Sequence, residues 1–301
     1  MSRIAYVNGR YVPQREASVN VEDRGYQFGD GVYEVIHVHD GRFVDTGLHL
    51  ARLARSLREL AIPKPMEDGA LLVVLREVVR RNRIREGIVY MQVSRGVARR
   101  DHAFPRDVAP ALVVTARHGK AFPREIDTWT GNAITAPDIR WGRVDIKTVN
   151  LLPNCLAKQK AREAGAYEAI LIDRDGNVTE GSSTTVWAVD EDGVLRTRHL
   201  DHHILPGCTR AAVISLMEEA GIRFEERGLS EAELRAAREI FLTSATSYVK
   251  PMVRLDGVAV GEGTPGPVAR RLFELFARHA DGATHNVPPA SPRLASCGGI
   301  G

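Results

Sequence analysis

A lysine set in apolar sequence is the residue of this chain best suited to chemistry. Lys147 lies in VDIKTVNLL (144–152), among Val144, Ile146, Val149, Leu151 and Leu152. A lysine in such a run either extends its ammonium to water or is held for reaction. The reactive use is covalent, because a lysine amine against an apolar wall is suited to forming a Schiff base with a carbonyl. A solvent-facing strand end accounts for the same residue without chemistry, and Lys147 alone does not choose between the two.

Four other stretches carry reactive or binding side chains. In LPGCTRAA (205–212), Gly207 allows close backbone approach and Thr209 is a candidate N-cap. The free N–H groups of a helix start there would suit a phosphate, although an ordinary cap has the same signature. In VTEGSST (178–184), Glu180 stands between a strand and a Gly-Ser-Ser turn, where it is either a site carboxylate or a solvated turn acid. FLTSATS (241–247) offers hydroxyls and N–H groups at a strand end, the pattern of an anion loop or of a plain polar turn. SRGVARRDHAFP (94–105) gathers Arg95, Arg99, Arg100 and His102 in a Gly-containing loop. Forked guanidinium donors match carboxylates, and a solvated basic loop has the same composition.

These stretches need elements to position them. IAYVNGRYV (4–12) reads as a hairpin turning at Asn8-Gly9, and 32–39 alternates as a strand that turns at Asp40-Gly41 into 42–44. The three glycines of DRGYQFGDG (23–31) break the pattern. Leucines 50, 53, 57 and 60 predict a helix over 48–61, and 71–81 repeats that character. Strands are expected at 88–96 and 111–116. The Gly/Pro joint HGKAFPR (118–124) marks a domain boundary. Beyond it, strands are expected at 133–136, 168–172, 184–189 and 240–243, with Val178-Thr179 and Met252-Val253 also on strands. Helices are expected at 154–164 (stopped by Gly165), 209–220 (stopped by Gly221) and 267–279. Ser230 and Glu233 form a capping-box pattern. The tail from Asp281 is Pro/Gly/Ser-rich and is expected to be disordered.

Composition narrows the class. A chain of 301 residues with 44% hydrophobic and 26% charged residues suits two globular domains. The net charge of +3 is spread rather than blocked, which gives no footprint for nucleic acid or membrane. No apolar run is long enough to span a bilayer, and no signal-peptide pattern opens the chain. The three cysteines (155, 208 and 297) suit neither a disulfide framework nor zinc, so a reducing cytoplasm is expected. His199, His202 and His203 read as a polar loop without a metal ligand set.

A lysine amine, a phosphate cradle and a carboxylate together suit pyridoxal phosphate, whose ring nitrogen needs an acid opposite it. At this point a resemblance is evident. From about residue 5 to 276 the chain resembles the fold-type IV pyridoxal-phosphate aminotransferases (class IV), and within them the bacterial D-amino-acid aminotransferases. The likeness rests on EDRGYQFGDGVYEV (22–35), HLARL (49–53), SRGVARRDHAFP (94–105), the long block 138–171, VTEGSS (178–183), ILPGCTR (204–210) and LTSATS (242–247).

The resemblance implies an α+β, two-domain fold: a small α/β N-terminal domain over 1–117, a linker at 118–124, and a larger pseudo-barrel domain over 125–280 that binds the cofactor. It implies Lys147 as the Schiff-base lysine and Glu180 as partner of the pyridine nitrogen. Arg52 and the N–H groups of Cys208 and Thr209 would bind phosphate, and Leu205 would pack on the ring. Ser244, Ala245 and Thr246 complete the cofactor set. Ala245 departs from the family pattern, where a relative carries threonine, so a hydroxyl contact to phosphate is either missing or taken over by Ser244 or Thr246, while the Ala245 N–H can still donate. Tyr33, Arg100 and His102 match the family's carboxylate trap. In the family the loop carrying the last two comes from a neighbouring subunit, which implies a homodimer with no nucleic acid or membrane partner. The expected reaction is ping-pong transamination between a D-amino acid and a 2-oxo acid. Branched-chain L-aminotransferases, R-selective amine transaminases, aminodeoxychorismate-type lyases and a non-catalytic binder of the cofactor are the alternatives.

Overall fold

A computed structural model describes residues 3–282, and they divide into two compact units. The first holds the chain through Phe122 together with Ile146–Asn150; the second holds Pro123–Asp145 and the chain from Leu151 onward. The break after Phe122 falls within the linker expected at 118–124, between the expected domains 1–117 and 125–280; what differs is that Ile146–Asn150, expected in the second domain, joins the first unit. The lysine segment belongs to the first unit because its main chain is bonded there. Tyr33 N donates to Lys147 O (3.0 Å), Val149 N donates to Gly31 O (3.1 Å), and Val32 bridges Thr148.

The first unit is built on alternating strands. In chain order it has β1 (Ile4–Val7), β2 (Arg10–Pro13), α1 (Arg24–Phe28), β3 (Gly31–His39), β4 (Arg42–Phe43), α2 (Thr46–Glu59), α3 (Asp68–Arg81), β5 (Gly87–Ser94) and β6 (Ala111–His118). Among the described residues the strands form an antiparallel sheet in the order β2-β1-β6-β5-β3-β4. Buried Val32, Ile36, Val38, Val89, Met91 and Val93 pack with Leu50, Leu53 and Leu57 of α2 and Leu71, Leu75 and Val78 of α3. The 3.6-residue stripe and the two-residue alternation thus meet in one core.

Helix α1 was illegible behind its glycines. It is a single turn, started by Asp23 accepting from Gly25 N (2.8 Å) and ended by Gly29 in the left-handed region (φ +67°). A Cβ at position 29 would sit 2.1 Å from Asn150 Oδ1, so the left-handed turn favours glycine and a side chain there would displace that of Asn150.

The second unit has β7 (Gly131–Pro137), α4 (Leu152–Glu163), β8 (Glu168–Ile172), β9 (Val178–Gly181), β10 (Thr185–Val189), β11 (Leu195–Thr197), α5 (Cys208–Ala220), β12 (Phe224–Glu226), α6 (Glu231–Ala236), β13 (Glu239–Ser244), β14 (Tyr248–Leu255), β15 (Val258–Ala259) and α7 (Pro267–Gly282). Its described strands order as β12-β11-β10-β13-β14-β7-β8-β9, with β15 beside β14. A short turn joins β9 to β10, although four strands separate them in the hydrogen-bonded order. The sheet must therefore curl toward closure, which is the half-barrel form of an α+β enzyme.

Several local expectations are corrected. Helix α4 begins at Leu152, with Pro153 in its first turn, where a missing N–H costs nothing. Helix α5 is capped by Gly207 rather than Thr209, which lies buried inside the first turn. Strands β11 and β12, three residues each, carried no visible alternation. The capping box at Ser230 and Glu233 is present. Asp281 and Gly282 close α7 rather than opening a tail, and the remainder of the expected tail lies outside the described residues. No helix among the described residues is long and apolar enough to cross a membrane.

Acid sensitivity follows from β3. His37 is buried there, and its pKa is pushed down to about 4, first by burial and then by the charge of His39, against an opposing pull from Glu86. The unfolded chain accepts this proton near the ordinary value of 6.5 and the folded chain resists it. Stability is therefore fullest above about pH 6.5 and declines as pH falls toward about 4. His37→Gln is expected to show a shallower fall in melting temperature across that window than the parent; equal slopes would contradict this.

Candidate active site

In the first unit, Lys147 is fixed by its main chain and left half-buried at its side chain. Its N–H donates to Ser56 Oγ (3.3 Å) and its carbonyl accepts from Tyr33 N. Lys147 Nζ lies 4.3 Å from the centroid of the Tyr33 ring, a cation–π distance, and Tyr33 stacks on Tyr90 at 5.7 Å. Burial, with Tyr33 adding, pushes the Tyr90 phenol up to about 12. Two of the expected residues, Lys147 and Tyr33, are thus neighbours.

The same strand places Glu34 on the opposite face, fully buried. Its carboxylate accepts from Arg52 Nε and Nη2 (both 2.8 Å) and lies 2.7 Å from His49 Nδ1. Burial alone would raise the Glu34 pKa, but the Arg52 charge and hydrogen bonds, with His49 adding, bring it down to about 2. His49, Arg52 and Ser56 recur along one face of α2, so the helix that supplies the apolar stripe also presents these polar groups. Arg52, expected at the phosphate, is held here in a forked pair with Glu34. Sequence reasoning missed Glu34, His49 and Ser56. The EVIHVH alternation could have placed Glu34 opposite Tyr33, but not the identity of its partner.

Arg100 and His102 are exposed on the loop after β5. Arg100 Cζ is 4.6 Å from the Phe28 centroid, and the His102 and Phe28 rings are 5.5 Å apart.

In the second unit, Glu180 lies near the end of β9 and is buried. Its Oε2 accepts from Leu205 N (3.2 Å), and its Oε1 is bound by Arg140 Nη1. Arg140 also donates to Asp138 Oδ2 (2.6 Å) and to His203 O (3.0 Å). Burial opposes the Arg140 charge, but Glu180 and Asp138 outweigh burial and hold its pKa above the usual arginine value. Arg140 was read only as part of a motif, because an arginine two residues from an aspartate normally signals an exposed turn.

The segment around 205–209 meets the sheet beside the other expected cofactor residues. A Cβ at position 207 would be 3.0 Å from Thr185 Oγ1 and 3.3 Å from Arg210 Cβ, a tight approach that glycine makes without displacing either side chain. Thr185 pairs in register with Thr243, which precedes Ser244, Ala245 and Thr246. Ser244 Oγ accepts from Ser247 N (3.0 Å) and Thr246 N (3.3 Å), fixing the turn. Helix α5 starts there without a side-chain cap, with Cys208 and Thr209 buried in its first turn. An uncapped thirteen-residue helix start, a glycine approach and a buried, oriented carboxylate fit a phosphorylated pyridine cofactor.

Replacing Arg140 by methionine leaves Glu180 and Asp138 without their shared cation. The expected destabilisation is about 3–5 kcal/mol, measured by urea unfolding. A loss below about 1 kcal/mol would show that solvent, not Arg140, compensates these carboxylates.

The family described as amino-transferase class IV matches residues 31–255. The D-alanine aminotransferase of Bacillus licheniformis is 44% identical over 266 residues, covering 88% of this chain and 93% of that one. Among solved structures, the branched-chain amino acid aminotransferase of Escherichia coli has a TM-score of 0.85 at 26% identity and covers 95% of this chain and 97% of its own. The branched-chain aminotransferase of the thermophilic archaeon Thermoproteus uzoniensis, solved with norvaline, has a TM-score of 0.83 at 26% identity, covering 94% and 96%. The chain belongs to the class IV aminotransferases, enzymes that work through pyridoxal 5'-phosphate.

Proposed function

We propose that this chain transfers amino groups between a D-amino acid and a 2-oxo acid, in two half-reactions, with Lys147 as the residue that carries the cofactor. The observation carrying this reading is the main-chain pairing of Lys147 with Tyr33, which puts the amine 4.3 Å from that ring. The D-alanine aminotransferase relative at 44% identity supports the substrate class, against 26% for the branched-chain structure.

Bound pyridoxal phosphate supplies an electron sink for negative charge at the substrate α-carbon. The remaining chemistry falls to side chains. Lys147 Nζ accepts the α-proton as general base and returns it as general acid. Glu180, itself oriented by Arg140 and Leu205 N, holds a proton at the ring nitrogen. Leu205 would pack on the ring. Arg52, beyond its pair with Glu34, the N–H groups of Cys208 and Thr209, and Ser244, Ala245 and Thr246 would hold the phosphate, the Ala245 N–H donating where a hydroxyl is missing. Tyr33, Arg100 and His102 bind the substrate carboxylate, Arg100 through its forked donors. With the carboxylate pinned from that side, the α-hydrogen of a D-amino acid points to Lys147. We further propose a cytoplasmic homodimer in which the loop bearing Arg100 and His102 serves the partner's site.

Borohydride reduction of the holoenzyme is expected to fix the cofactor on Lys147; a label mapped to Lys158 or Lys160 would overturn that assignment. Glu180→Gln should retain the cofactor and lose most of its single-turnover rate. Arg100→Ala is expected to weaken amino-acid binding by roughly 30-fold or more, the loss from truncating one side of a desolvated charge pair. Arg100→Ala and Lys147→Ala chains, co-refolded, should regain part of the activity. Heterodimers that form and stay inactive would contradict a shared site.

A further inference from the structure

Arg100 is held differently from the arginines that anchor its own loop. Arg24 and Arg95 are paired with the partly buried Asp30, and Arg52 with the buried Glu34. Among the described residues, Arg100 has no hydrogen bond and no ion pair; its contact is the ring of Phe28, 4.6 Å from guanidinium carbon to centroid. A carboxylate anchor would occupy the N–H fork that a substrate carboxylate needs. An aromatic face attracts the cation and leaves all five N–H donors uncommitted.

The ring itself is firmly placed. Phe28 is the last residue of α1, and the following Gly29 is tied to the lysine segment, its carbonyl accepting from Asn150 Nδ2 (3.3 Å). Arg24 Cζ lies 4.7 Å from the same ring. Arg24 also fixes the loop backbone, donating to the carbonyls of Asp101 (2.5 Å) and His102 (3.4 Å) while its Nε donates to Asp30 (2.8 Å). Asp30 accepts from Arg95 Nε (2.7 Å) as well, and the Arg95 guanidinium lies 3.6 Å from the Phe104 centroid. The loop backbone is therefore held by Arg24 and its ion pair, and the Arg100 side chain by an aromatic face.

We infer that Phe28 is a positioning residue for substrate recognition, holding the Arg100 guanidinium, with His102 beside it, in a pose that keeps its donors open for the substrate carboxylate. This rests on the reading of Arg100 and His102 as the carboxylate trap. Phe28 acts through the Arg100 guanidinium, so its effect is expected in KM and not in kcat.

The test uses the holoenzyme with ring-fluorinated phenylalanines at position 28, which keep the ring's shape and weaken its negative face step by step, alongside Phe28→Leu and Phe28→Tyr. KM and kcat for D-alanine are measured by the absorbance of the cofactor, and cofactor affinity by direct titration. KM should rise stepwise with fluorination and by roughly 2- to 30-fold in Phe28→Leu, the span of a single cation–π contact. Phe28→Tyr should restore it, while kcat stays within about twofold and cofactor affinity is unchanged. In an Arg100→Ala background, Phe28→Leu should add nothing to KM. Flat KM across the fluorinated series, or full additivity with Arg100→Ala, would overturn the inference even where Arg100→Ala alone raises KM. If Arg100→Ala leaves KM unchanged, the carboxylate reading itself fails.

Discussion

The structure depends on the main-chain seam between Lys147 and β3. Ile146–Asn150 is a short excursion: the residues on either side belong to the second unit, and these five to the first. Lys147 bonds Ser56 on one side and Tyr33 on the other, and Val149 bonds Gly31. A lysine amine stands on a flexible four-carbon stem and is a poor catalyst unless its root is fixed. Here the root is fixed by backbone bonds that do not depend on any ligand. Gly29 favours that seam through its left-handed backbone, and a side chain there would displace the Asn150 side chain.

Buried charge forms a second layer of constraint. Each unit keeps a compensated ionic group: Glu34 with Arg52 and His49 in the first, and Glu180 and Asp138 with Arg140 in the second. Such groups are costly to desolvate and gain little net stability over apolar packing, so their retention points to a role in orienting functional atoms. Arg140 fixes the direction of Glu180. Arg100 differs from Arg24 and Arg95, which also lie over rings, in that its ring contact comes with no carboxylate partner among the described residues.

Much of this was legible in the sequence, for identifiable reasons. The leucine stripe of α2, the turn at Asn8-Gly9 and the capping box at Ser230 are local signals, and local signals survive in one dimension. The alternation over 32–39 likewise marked β3, the strand that carries Tyr33. What was hidden depends on long-range pairing. Arg52 and Glu34 are eighteen residues apart, and Arg140 and Glu180 forty. No spacing rule joins such residues, and the placement of Ile146–Asn150 in the first unit follows from hydrogen bonds to β3 that no local pattern announces. Helix α1 was masked by the glycines that make it possible, and Thr209 looked like a cap because nothing in sequence distinguishes a capping threonine from one in a first turn after glycine.

The central claim is that Lys147 serves a D-specific amino-transfer site, and a single-turnover panel tests it most directly. Purified holoenzyme is mixed with D- and L-alanine, D- and L-glutamate and D- and L-leucine, without a 2-oxo acid, and the conversion of bound cofactor to its pyridoxamine form is followed by absorbance. The account predicts rapid conversion with D-amino acids, little with their L-counterparts, and none with Lys147→Ala on the same timescale. Preferential conversion by L-leucine, or undiminished conversion in Lys147→Ala, would contradict it.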